Sequence, residues 1–171
     1  MDEIELVLVA AEPGDPFPGE YYDPQSSATE YFEKVTERGL AHLTEREQFV
    51  TNLRRILDEC WPGVSLDEQL RRTWITESYL CSAPRESGPV PTRSWSVCGR
   101  DYLAPQLSLL ADRAIVACGR KAQRRIEALG FSRFLAVPAI APPEGGKPHA
   151  RAAHRTIPAY VAECKAKRGR P

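Results

Sequence analysis

The stretch Ile4–Ala10, IELVLVA, followed at 11–24 by AEPGDPFPGEYYDP, decides how the chain is read. A short run so rich in Leu, Val and Ile suits a strand buried on both faces, as in parallel sheets covered by helices. The Pro- and Gly-dense segment behind it can continue neither strand nor helix and reads as a loop. The same unit recurs along the chain. Trp74–Leu80 (WITESYL) reads as a second strand and runs into CSAPRESGPVPT at 81–92, a second Pro/Gly-rich loop. Arg113–Cys118 (RAIVAC) reads as a third strand that breaks at Gly119 into a helix over Arg120–Leu129. Phe131–Val137 reads as the fourth, followed at 138–149 by the loop PAIAPPEGGKPH.

Helical patterns fill the intervals. Ser27 or Thr29 caps a helix expected to reach about Arg38 and to end at Gly39. In LTEREQFVTNLRRILDEC, residues 43–60, Thr44 and Glu47 form a capping box, and Phe49, Leu53, Ile56 and Leu57 make one apolar stripe. Ser94–Leu110 reads as one long helix, and a last helix runs from about Arg151 to Lys165 into the basic end KAKRGRP, expected to fray. Buried strands alternating with helices predict an α/β fold, a three-layer α/β/α sandwich with a four-stranded parallel sheet. One domain is expected over 1–165, with a basic tail at 166–171. Ligands of such sheets bind beyond the carboxyl ends of the strands, so the three elaborate loops there mark the site.

Composition narrows the function. The 171 residues are 42% hydrophobic and 27% charged, which excludes a disordered chain. Lys+Arg and Asp+Glu both number 23, which excludes a wholly basic nucleic-acid coat. The balance is nevertheless polarised: residues 1–68 hold 16 acids against 5 bases, and residues 69–171 hold 18 bases against 7 acids. A basic face meeting an anionic partner fits that distribution. The five cysteines are widely spaced with no C-x-x-C pair, which reads as reduced buried thiols rather than a disulfide framework or a zinc finger. The N-terminus is acidic where a signal peptide is basic, and no run approaches the roughly 20 apolar residues of a membrane span. A cytoplasmic monomer without membrane contact is expected. Trp61 and Trp95 read as core, and His154 as a surface residue.

Several motifs in this order resemble the uracil-DNA glycosylase superfamily, especially its iron–sulfur branch. They are Ala10-Ala11-Glu12-Pro13-Gly14 with Pro16-Phe17 after the first strand, YFEKVTERGL, WITESYLCSAPR, Cys98 with Tyr102-Leu103 and Gln106-Leu107, and RAIVACGRKA. The resemblance covers most of residues 5–137 and implies a DNA glycosylase that flips a base and hydrolyses its N-glycosidic bond, with DNA as partner. The branch's N-terminal cysteine pair is missing, so Cys81 and Cys98 stand without the two further ligands of a cluster. The superfamily's His-Pro-Ser motif is replaced by Ala141-Pro142-Pro143. No metal or organic cofactor is expected.

Breaking the glycosidic bond builds positive charge on the deoxyribose and negative charge on the base. Glu12 stands where the fastest uracil glycosylases carry an Asp and is the candidate catalytic carboxylate, with His149 as candidate partner for the leaving base. Phe17 matches the ring that stacks on the extruded base, and Tyr21 is a second candidate. Glu77 falls where uracil-reading members carry Asn. A carboxyl there fits a cytosine-type base, which points to a modified cytosine rather than plain uracil. The alternative register turns Glu77 outward and Ser78 inward. Some relatives act on phage DNA carrying modified cytosine, which makes antiviral defence one expected setting. Ser82 and Arg85 of the second loop and Gly145, Gly146, Lys147, Arg151 and Arg155 of the third are candidate DNA contacts. A silent DNA- or nucleotide-binding scaffold is the alternative function. A flavodoxin-like small-molecule enzyme is disfavoured because no phosphate-binding Gly-rich turn follows the first strand.

Overall fold

The computed structural model describes residues 3–14, 25, 27–30, 33–34, 48–81 and 88–169. Four strands, β1 (Leu6–Ala10), β2 (Thr73–Glu77), β3 (Ala114–Cys118) and β4 (Leu135–Val137), form one sheet in the order β2-β1-β3-β4. All pairings are parallel, with Leu6 opposite both Thr73 and Ala114, and Cys118 opposite Val137. Helices cover both faces, so the architecture is the expected three-layer α/β/α sandwich.

Alternation along the strands divides the core. Leu6 and Leu8 of β1 join Ala114, Val116 and Cys118 of β3 and Val137 of β4 on one face. They pack against Leu53, Ile56 and Leu57 of α1 (Gln48–Cys60) and against Ile157, Val161 and Cys164 of α7 (Ile157–Arg168). Val7, Val9, Ile115 and Ala117 point to the other face and meet Leu103, Leu107, Leu110 and Ile126. Those residues come from α4 (Ala104–Leu109) with its flanks and from α5 (Arg120–Ala128). A strand apolar at consecutive positions is what two covered faces require. The edge strand β2 differs, because Trp74 and Ile75 are exposed and the Trp74 indole donates to Gln106 Oε1 at 3.0 Å.

Several element boundaries depart from the sequence reading, each for a local reason. The helix expected over 94–110 starts two residues early as α3 (Thr92–Cys98), widens into a π-helical turn at Gly99–Leu103 and resumes as α4. Pro105 lacks an N–H and its ring crowds the carbonyl four residues earlier, which the wider turn accommodates. The last helix is two: α6 (Pro148–His154) and α7, with Pro158 in the first turn of α7 and Thr156 Oγ1 donating to Ala153 O at 2.7 Å between them. The tail is not frayed throughout, since α7 continues through Ala166, Lys167 and Arg168. Helix α2 (Leu66–Arg71) was not anticipated, although Ser65 caps it by accepting the Glu68 N–H and the Ser-x-x-Glu signal is present. Ser27 and Glu30 cap each other reciprocally, which settles the cap in favour of Ser27. Thr44 and Glu47 lie outside the described residues. No helix among the described residues is long and apolar enough to cross a membrane.

Ile56 is fully buried whereas Leu109 is 67% exposed. Ile56→Ala is expected to cost roughly 2–5 kcal/mol in urea unfolding, and Leu109→Ala less than about 0.5 kcal/mol. Equal losses would mean that the two faces are not packed as described.

Candidate functional site

The chain leaves β1 toward β2 on one side of the sheet and leaves β3 toward β4 on the other, so the crevice of an open α/β sheet opens beyond Ala10 and Cys118. Glu12 stands there, two residues past β1, with its side chain only 5% exposed. It is therefore not a solvated loop carboxylate. Its Oε2 accepts from Arg125 at 2.8 Å, and its Oε1 accepts from the Lys121 ammonium. Lys121 and Arg125 are four residues apart on α5, which brings both cations to one helix face.

The same two cations gather the surrounding backbone. Arg125 also donates to Ala11 O at 2.7 Å and to Ser78 Oγ at 3.1 Å, while Ser78 donates to Ala11 O at 2.7 Å. Lys121 donates to Gly88 O at 2.8 Å, where the second loop returns. Burying a carboxylate is tolerable only with such partners. Arg125 further lies over the Tyr79 ring, 5.8 Å from its centroid.

Glu77 closes β2 opposite Ala10. Burial pushes its carboxyl up to about 8, the nearby Glu12 charge pushes the same way, and Arg125 opposes them in part. Its Oε2 has no hydrogen-bond partner among the described residues. The Cys118 thiol, fully buried beside it, is pushed up to about 12 by burial and by Glu77. Glu77 thus keeps its proton at neutral pH beside the carboxyl that Arg125 and Lys121 hold, a pairing that acid–base chemistry uses. Glu77 and Ser78 sit on opposite faces of the strand, and both are turned into the protein. Ser78 is fully buried and its hydroxyl is engaged by Arg125 and Ala11, which leaves it a structural role.

The third loop is anchored independently. A Cβ on Gly145 would lie 1.8 Å from Ile140 O, so the close approach its hydrogen permits is to the chain's own backbone rather than to a phosphate. Asn52 of α1 donates to that same carbonyl at 2.9 Å. Gly146 has open space around it. Lys147 and His149 are exposed and share Glu144, at 2.8 and 2.5 Å respectively, and together they hold that carboxyl below its ordinary range. No hydrogen bond or ion pair among the described residues joins His149 to Glu12 or Glu77. Arg151 and Arg155 are exposed on and just after α6.

His154 is a correction, being fully buried instead of at the surface. Its Nε2 donates to Pro138 O at 3.0 Å and its Nδ1 accepts from Arg55 at 3.2 Å. Burial lowers its basicity, and the Arg55 charge lowers it further against the opposing pull of the Pro138 carbonyl. Trp61 is core as expected, while Trp95 is half-buried. Phe17, Tyr21, Ser82 and Arg85 lie outside the described residues. Among the described residues no group of three or more His, Cys, Asp or Glu side chains could hold a metal ion.

Lys121, Arg125 and Tyr79 were missed in the sequence. The spacing of the two cations on the helix after Gly119 was visible, but nothing local assigns them a carboxylate more than a hundred residues earlier. Compared with known proteins, the chain matches no family model and no curated protein sequence.

Two measurements test this geometry. A carboxyl raised in the folded state binds its proton more tightly there than in the unfolded chain. Its stabilising contribution is complete below the unfolded value near 4.5 and is lost as pH rises through about 8. Glu77→Gln should therefore match the parent's urea midpoint at acid pH and exceed it at pH 9; coincident curves throughout would place Glu77 in water. Gly145→Ala should lose roughly 1–3 kcal/mol or more, and Gly146→Ala less than about 0.5 kcal/mol, by thermal unfolding.

Proposed function

We propose that the protein is a DNA glycosylase of the uracil-DNA glycosylase type, hydrolysing the N-glycosidic bond of a flipped pyrimidine-type base and leaving an abasic site. The observation that carries this reading is the buried carboxylate of Glu12 at the strand-order reversal, next to the neutral acid of Glu77. A negative charge held by Arg125 and Lys121 at the strand ends stabilises an oxocarbenium-like sugar and orients the attacking water. The protonated carboxyl of Glu77 matches a cytosine-type base, accepting from the exocyclic amine and donating to ring N3. Proton donation to N3 also lets the base leave neutral, a gain greatest for a ring without an acidic N–H. A modified cytosine is accordingly the favoured substrate, and removal of such bases from phage DNA is a fitting biological setting.

Lys147, Arg151 and Arg155 are exposed cations on the third loop and around α6 that suit the DNA backbone, and Glu144 draws Lys147 and His149 together. Binding through phosphates weakens steeply with salt. The chemistry invokes no metal or organic cofactor, and the monomer suffices for it. The engagement of both Glu12 oxygens by cations favours a second reading, a scaffold that binds DNA or nucleotides without turning them over.

Oligonucleotides carrying uracil, hypoxanthine, a thymine mismatch or modified cytosines, treated with alkali after incubation, separate the two. Strand nicking on a modified cytosine that falls about a hundredfold or more in Glu12→Gln, with the variant folded at assay temperature, supports the enzyme. Uracil release far exceeding that of every cytosine derivative would sink the substrate assignment. Salt-sensitive binding without nicking selects the scaffold, and no binding removes both.

A further inference from the structure

We propose that Cys81 and Cys98 form a disulfide on exposure to a peroxide, tying the start of the second loop to the end of α3 beside the crevice. Cys81 is the exposed one of the five cysteines, and Cys98, the last residue of α3, is buried. The Leu80 N–H donates to Cys98 Sγ at 3.2 Å, so the buried sulfur lies against the backbone immediately before Cys81. Burial raises the Tyr79 phenol, and the neighbouring Cys81 and Cys98 thiols push it the same way. Cys98 is thus brought to the segment 79–81 that contains Cys81, although the two cysteines are 17 positions apart in the chain. The remaining thiols are poorly suited to the same reaction. Cys118 and Cys164 are buried, and desolvation pushes Cys60 and Cys118 each up to about 12.

The exposed sulfur meets the oxidant and the buried one resolves it. Cys81 sulfur attacks one oxygen of hydrogen peroxide, the O–O bond breaks, and the thiol proton leaves with the departing oxygen as water, giving a sulfenic acid. Cys98 sulfur then attacks Cys81 sulfur; the S–O bond breaks, and the hydroxyl departs with the Cys98 proton as a second water. Two thiols have lost two electrons, and the peroxide has been reduced to two waters. The cross-link would fix the backbone of Tyr79, whose ring lies under Arg125, the residue that holds Glu12. Neither step involves nucleic acid, so the chemistry stands apart from the glycosylase reading.

Titration of the full chain with hydrogen peroxide under native conditions tests this. Free thiols should fall from five to three. Trypsin without reductant should release Thr73–Arg85 joined to Ser94–Arg100, separable by a reducing agent. In Cys81→Ser, checked for native circular dichroism, Cys98 should remain a free thiol at the same dose. Cys81 recovered as sulfinic or sulfonic acid with Cys98 still free would overturn the proposal, as would Cys98 oxidising equally fast in Cys81→Ser or linked peptides containing any other cysteine.

Discussion

The ion-paired cluster of Glu12 with Arg125 and Lys121 is the constraint on which the carboxyl edge of the sheet depends. A carboxylate 5% exposed would be untenable alone, and the two cations that stabilise it also bind the backbone of the first loop at Ala11 and of the second at Gly88. Three segments far apart in sequence thereby converge on one charge. Removing one partner of such a group typically costs about 3–5 kcal/mol, because the others remain buried and uncompensated. Arg125 is itself nearly fully buried, and its Nη1 alone reaches Glu12, Ala11 and Ser78.

The state of Glu77 follows from that cluster. Its carboxyl is buried within range of Glu12 but has no ion pair of its own among the described residues, and Arg125, already committed, offsets only part of the cost. Two carboxyls next to each other are thus driven to opposite roles by which of them the cations reached. The third loop answers to different anchors: Asn52 on the Ile140 carbonyl, Gly145 pressed against it, and Arg55 on His154, which in turn holds Pro138. The first two loops are thus tied to α5 and the third to α1.

Much of the fold was legible because its signals are local. Runs of Val, Ile and Leu marked β1 and β3 within a residue or two, and Pro and Gly placed the loops. Proline also explains the missed details: Pro105 and Pro158 each disturb a helix that apolar periodicity alone carries through. Of the site, Glu12 was visible as the acid directly after a buried strand. Glu77 was visible only as an acid near the end of a strand, with its facing undecided. His154 was misread because a histidine among arginines and alanines looks solvated until its ring is seen buried between Arg55 of α1 and the Pro138 carbonyl.

The sequence by itself determined the α/β class, the parallel sheet and the placement of the long loops at one edge. Strand and helix periodicity, capping and turn chemistry act over a few residues and need no knowledge of the rest. Only the tertiary structure decided the protonation and partners of the site. The bonds from Arg125 and Lys121 to Glu12 span 113 and 109 positions, and the burial that raises Glu77 comes from elements distant in the chain. Charge interactions of this kind depend on distance and dielectric in three dimensions, quantities that a linear pattern does not carry.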